Sequence, residues 1–333
     1  MRSRVEGIEG IIVAMVTPFD DEGSVDAACI GNLVDFLIEK GVNGLYPCGT
    51  TGEALLLSTE ERKYVAESVV EAARGRVPVI IHTGHICAET AIELTRHARD
   101  IGAAGAGIVA PYFYNVGDEG IYRYYAQIAQ AVPDFPLLLY NIPQCTVNRI
   151  RAGVVKRLMS DYPNIVGVKN STGDLAEFRS FVELAPAPDF SVYLGCDGLL
   201  LASLCVGGRG AVSGNACVFP EPYVELYSAW KAGDLGRARE IQRGIDAVKD
   251  ALRDGGDISF LKNGLRLRGV DVGEVRAPLV RASGEEVAAL KRALERLESE
   301  QLGAAGGGPG YIGKDEHIDK NKKAQKVSIA AGE

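Results

Sequence analysis

Eight short apolar, β-branched runs recur along the chain, separated by longer amphipathic stretches, and that order leaves few folds open. The runs lie at 10–16, 44–47, 77–82, 107–110, 136–140, 165–169, 191–194 and 210–213. Between them a helical period predicts helices at 26–40, 59–74, 88–101, 120–131 and 150–160, among others. Ser58, followed by Thr59, Glu60 and Glu61, opens one of these with a cap residue and early acids, as the helix dipole favours. Eight strand-then-helix units in about 230 residues predict an α/β fold of the (β/α)8 TIM-barrel type. A doubly wound sheet has fewer strands and a phosphate-binding glycine turn after the first, whereas here the first run enters Thr17-Pro18-Phe19-Asp20.

Further helical patterns at 235–253, 259–267 and 284–301 predict a C-terminal helical extension. We expect a barrel over 1–232, the extension over 233–302 and a flexible tail over 303–333, where a glycine-rich linker precedes charged residues with few apolar anchors.

A net charge of -8 offers no overall attraction for nucleic acid. The first residues lack the apolar core of a signal peptide, and no apolar run is long enough to span a bilayer. The expectation is therefore a cytoplasmic protein with neither a membrane nor nucleic acid as partner. Seven cysteines, an odd number without a CxxC pair, read as reduced thiols rather than a disulfide framework.

In a barrel of this kind the chemistry sits at the C-terminal ends of the strands, so the residues closing each run carry the information. Lys169 closes 165–169 and Tyr140 closes 136–140. Strand alternation then points Lys169 inward with Ile165 and Gly167, leaves Val166 and Val168 for the helix layer, and points Tyr140 inward beside Leu138. Neighbouring strands lie about 5 Å apart, so amine and phenol meet at one mouth. An amine there loses part of its hydration, and the neutral form is the one that adds to a ketone. The bland alternative has Lys169 reaching out to solvent and Tyr140 filling the barrel.

Cys48-Gly49-Thr50-Thr51-Gly52-Glu53 follows the second run, and its hydroxyls and backbone donors can converge on a small carboxylate. A threonine-capped turn would have the same composition. His82, His85 and Cys87 suggest a metal only weakly, since no carboxylate motif accompanies them. No metal and no cofactor are expected. Gly207-Gly208-Arg209-Gly210 lacks the ending of a P-loop and reads as the turn into the eighth strand.

Over about residues 8 to 300 the sequence resembles the dihydrodipicolinate synthase and N-acetylneuraminate lyase superfamily of class I pyruvate-dependent aldolases. The resemblance rests on Thr17-Pro18-Phe19, Gly49-Thr50-Thr51-Gly52-Glu53, Tyr140-Asn141-Ile142-Pro143, and Gly167-Val168-Lys169 with Ser171-Thr172-Gly173-Asp174. It implies that Lys169 forms the Schiff base with pyruvate, that Tyr140 relays protons, and that Thr50, Thr51 and the nearby Gly49 backbone hold the carboxylate. Thr51 counts with the catalytic set. Gly195 and Val212 match pocket-lining positions, and Tyr112 joins the substrate-binding set. The family usually forms homotetramers.

Two positions depart from the synthase pattern. Phe113 stands where the synthases carry the second tyrosine of a Pro-Tyr-Tyr-Asn segment, with Tyr114 next to it as a possible substitute. Cys145 stands where they carry an arginine for the incoming semialdehyde's carboxylate. The segment Gly44-Leu45-Tyr46, Gly52 to Leu57 and His82 look more like the sugar-acid branches. The main expectation is therefore a pyruvate lyase acting on a 2-keto-3-deoxy sugar acid or a neuraminate-like acid. The alternatives are 4-hydroxy-tetrahydrodipicolinate synthase, a sugar-acid dehydratase on the same scaffold, and a non-catalytic keto-acid-binding protein.

Overall fold

The structure, a computed structural model, describes residues 8–184 and 190–297. Eight parallel strands run β1 (Gly10–Ala14), β2 (Gly44–Tyr46), β3 (Ile80–His82), β4 (Gly105–Val109), β5 (Leu137–Asn141), β6 (Ile165–Asn170), β7 (Ser191–Leu194) and β8 (Gly210–Ser213). Their order, β2-β1-β8-β7-β6-β5-β4-β3, brings β2 and β3 to the two ends of the sheet. A parallel bridge between Leu45 and Val79 joins those ends, so the sheet closes. The result is a (β/α)8 TIM barrel.

The helices are α1 (Ala27–Glu39), α2 (Thr59–Ala73), α3 (Ala88–Asp100), α4 (Gly117–Ala131), α5 (Pro143–Thr146), α6 (Ala152–Asp161), α7 (Leu175–Val182), α8 (Leu200–Cys205), α9 (Pro220–Lys231), α10 (Leu235–Ala251), α11 (Ile258–Leu267) and α12 (Gly284–Leu297). Ser58 caps α2 in a full capping box, accepting from Glu61 N while the Glu61 carboxylate accepts from Ser58 N. Asp26, Asp174, Asp234 and Asp257 cap α1, α7, α10 and α11 in the same sense, each accepting from the first turn. After the barrel, α10 packs on α9 and is covered in turn by α12. The last residues of the expected 284–301 helix, and the expected tail over 303–333, lie outside the described residues.

Every strand residue is buried, because helices cover one face and barrel-filling side chains the other. Ile12, Ala14, Tyr46, Ile80, Leu138, Val166, Tyr193 and Val212 fill the interior, while Ile11, Val13, Ile108, Leu139 and Val168 belong to the layer under the helices. One expectation fails here. Val166 is an interior residue and Ile165 an outer one, the reverse of simple alternation along β6. The cause is a register shift: Leu137 pairs with Ile165, but Leu138 pairs with Gly167, so one extra residue sits opposite β5. The alternation recovers above the bulge, with Val168 outward.

Candidate active site

Above the bulge, Tyr140 of β5 and Lys169 of β6 are register partners at the C-terminal mouth. The Lys169 Nζ lies 4.1 Å from the centroid of the Tyr140 ring and 5.0 Å from that of Tyr46. Both ladder ends are held from outside the pocket. Asn141 donates through Nδ2 to Asn170 Oδ1 at 3.0 Å and accepts from Ile150 N at 2.9 Å, so the residues after Tyr140 and Lys169 are tied to each other. Gln144 donates to the Ser171 carbonyl at 2.7 Å and ties α5 to the same strand end.

The turn after β2 approaches from the other side. Thr50 Oγ1 and Tyr140 Oη are 3.4 Å apart. Backbone hydrogen bonds from Gly52 N and Ala54 N to Gly49 O, and from Glu53 N to Thr50 O, wind the turn tightly. Cys48 and Glu53 both take a left-handed conformation, with φ of 59° and 56°, which a non-glycine residue holds only under strong constraint. Thr51 faces Gly214 beyond β8, where a Cβ would meet its Oγ1 at 2.9 Å.

Gly195, after β7, leaves room for the lysine. A Cβ there would lie 1.9 Å from Ser171 Oγ and 3.1 Å from Lys169 Cε. A Cβ on Gly49 would come within 3.2 Å of the Tyr46 ring. Val212 belongs to the interior cluster of Tyr46, Leu138 and Tyr193, deeper in the barrel. Tyr112 is half-buried against Val109, Tyr140 and Ile142, and with them forms an apolar rim. Lys169, Tyr140, Thr50, Thr51, Gly49, Gly195, Val212 and Tyr112 thus all belong to the barrel interior or its upper mouth.

Tyr46 is more than the family likeness suggested. Its ring forms the floor beneath Lys169, standing edge-on to Tyr140 at 6.4 Å and tilted to His82 at 6.1 Å. Burial pushes its hydroxyl well above the ordinary phenol range. A side chain at Gly107 would collide with that hydroxyl, so a glycine on β4 makes space for a large ring on β2.

His82, fully enclosed, has its basicity pushed well below the usual imidazole value, by burial first and then by the neighbouring Arg62 guanidinium. Its Nδ1 donates to the Cys48 carbonyl at 2.8 Å. Arg62 holds the strand end, donating to the carbonyls of His82 at 2.9 Å and Gly84 at 3.1 Å. His82 is thus part of the wall, fastened to the turn after β2.

The two departures lie at the rim. Phe113, 79% exposed with φ of 73°, and Tyr114, 65% exposed, stand off the surface in edge-on contact. Cys145 is exposed on α5, and partial burial raises its thiol above the usual range.

Residues 7–297 match the Dihydrodipicolinate synthetase family. The chain belongs to that family. The 4-hydroxy-tetrahydrodipicolinate synthase of Methanopyrus kandleri is 38% identical over 291 residues, 87% of this chain and 96% of that one. The enzyme of the same name from Bacillus subtilis is 36% identical over 287 residues, 86% of this chain and 98% of the relative. Among solved structures, YagE of E. coli K12, a prophage protein of the family in complex with pyruvate, superimposes with a TM-score of 0.84 at 32% identity, covering 88% of this chain and 99% of YagE. Dihydrodipicolinate synthase from Aquifex aeolicus gives 0.82 at 35% identity, covering 86% and 97%. Membership makes the chain an enzyme of the class I, Schiff-base type, a carbon–carbon lyase. No helix among the described residues is long and apolar enough to cross a membrane.

Proposed function

We propose that the enzyme binds pyruvate as a Schiff base on Lys169 and joins it to, or releases it from, an aldehyde partner. The observation that carries this reading is the Lys169 amine 4.1 Å from the Tyr140 ring, with the Thr50 hydroxyl 3.4 Å from the Tyr140 hydroxyl. In this reading the amine attacks the keto carbon, and Tyr140 carries protons through carbinolamine and imine with Thr50 in hydrogen-bond reach. The Thr50 and Thr51 hydroxyls and the Gly49 backbone receive the carboxylate, and Gly195, Val212 and Tyr112 shape the pocket.

For the aldehyde, the relatives' names support the synthase reaction, with aspartate semialdehyde as partner, ahead of the sugar-acid preference drawn from the sequence. A sugar-acid lyase is the second reading, favoured by one observation: the semialdehyde-carboxylate position holds an uncharged thiol, Cys145. The deciding measurement is kcat/KM for pyruvate plus aspartate semialdehyde against cleavage of 2-keto-3-deoxygluconate and N-acetylneuraminate. A dehydratase would release water and no pyruvate from the sugar acid. A protein that only binds would leave the pyruvate methyl protons unexchanged in deuterium oxide.

Tyr140→Phe is expected to keep the ring packing and lower kcat by about 10²-fold or more, since only the proton-carrying oxygen is lost. An unchanged rate would move the relay to another group. A homotetramer is also part of the proposal, because Phe113 and Tyr114 present apolar rings on an exposed loop that a neighbouring subunit would cover. Sedimentation at micromolar concentration checks this, and a monomer would count against the contact.

A further inference from the structure

The Gly49-Thr50-Thr51-Gly52-Glu53 turn ends in a residue to which the mechanism above gives no role. Glu53 is wholly buried, and its Oε1 lies 2.9 Å from the Nζ of Lys262, equally buried on α11. Its Oε2 accepts the backbone N–H of Arg276 at 2.9 Å. Lys262 also donates to the Glu274 carbonyl at 2.8 Å and lies 4.1 Å from the Phe19 ring centroid. The Arg276 guanidinium then reaches round the turn, donating to Leu56 O at 3.0 Å and to Gly23 O at 2.7 Å, and pairing with Glu61. Thr17 Oγ1 closes the remaining side with a 2.7 Å bond to the Gly52 carbonyl.

We propose that Glu53 and Lys262 are positioning residues, a buried clamp by which the segment after the barrel sets the place of the carboxylate-binding threonines. The inference rests on the reading of Thr50 and Thr51 given above. Its physical basis is threefold. A fully buried ion pair is a poor source of stability, because desolvation offsets most of its attraction, and here each partner is also held by a backbone group of the segment after the barrel, Lys262 by the Glu274 carbonyl and Glu53 by the Arg276 N–H. The left-handed backbone at Glu53 persists only if its surroundings over-determine it, and the side chain that does so belongs to this same residue. Glu53 is also two residues from Thr51, so a small displacement of its carboxylate is passed to the hydroxyls, where errors near 1 Å cost about 10²-fold in efficiency.

The test is the pyruvate concentration that half-saturates borohydride trapping, followed by intact mass, which requires no knowledge of the aldehyde. Trapping in the wild type reports on Lys169 alone; the ratio of variant to wild type reports on the clamp. Glu53→Gln combined with Lys262→Met removes both charges without stranding either. It is expected to raise half-saturation about tenfold while still giving the adduct on Lys169 at saturation. Unchanged half-saturation together with a lowered Tm would overturn the proposal, since that is the behaviour of a purely structural pair. Lys262→Arg, which keeps the charge and alters the geometry, decides the matter if the double variant does not fold. A raised half-saturation at near-native Tm supports the clamp, and a lowered Tm with native half-saturation overturns it.

Discussion

Lys169→Ala is expected to lower turnover by on the order of 10⁴-fold or more while leaving the barrel folded. The side chain ends in the pocket, between the rings of Tyr140 and Tyr46, so truncation opens space rather than breaking a buried hydrogen bond. What is lost is the covalent step: without the amine no imine forms, and no electron sink is available for carbon–carbon bond making or breaking. Two measurements check it together, the steady-state rate and the intact mass after borohydride reduction with pyruvate. Activity within tenfold of the wild type, or an adduct that persists in the variant, would assign the Schiff base to another lysine.

Cys145→Arg is expected to raise kcat/KM for aspartate semialdehyde by about 10²-fold, with little gain for a neutral sugar acid. A carboxylate entering the mouth loses hydration, and a guanidinium returns that loss through two charge-assisted hydrogen bonds, which a thiol cannot make. The site tolerates the change because Cys145 is exposed on the short α5, while its neighbour Gln144 keeps that helix tied to the Ser171 carbonyl. The ratio of efficiencies for the two substrates, before and after substitution, is the informative quantity. A gain below threefold would mean that the semialdehyde carboxylate binds elsewhere in the mouth.

The eight strands were legible because parallel barrel strands are buried on both faces and read as unbroken apolar runs. Lys169 and Tyr140 were legible for the same reason: a polar side chain that closes such a run has nowhere to go but the mouth. The position of Val166 was not. A bulge is a property of two strands at once, and nothing within 165–169 alone announces that Leu137 and Leu138 skip a partner. Tyr46 needed the knowledge that Gly107, far along the chain, leaves room for its ring. The partnership of Glu53 with Lys262 was hidden by sequence separation as well, and a glutamate in a glycine-rich turn gives no local sign of complete burial. Helix starts were off by a few residues where capping was weak; α4 begins at Gly117, three residues before the apolar period becomes visible.

Lys169 and Tyr140 sit inside the hydrogen-bonded ladder, pinned by the asparagine bridge between Asn141 and Asn170, whereas Cys145 sits on a four-residue helix outside it. A substitution in the first group acts on the covalent step, as Lys169→Ala and Tyr140→Phe do, while the barrel stays folded. In the proposed reading, one at position 145 lies outside both the ladder and the covalent step and acts on the choice of aldehyde partner. On that reading, partner specificity can therefore be altered at an exposed position without touching the buried lysine and tyrosine that carry the pyruvate chemistry.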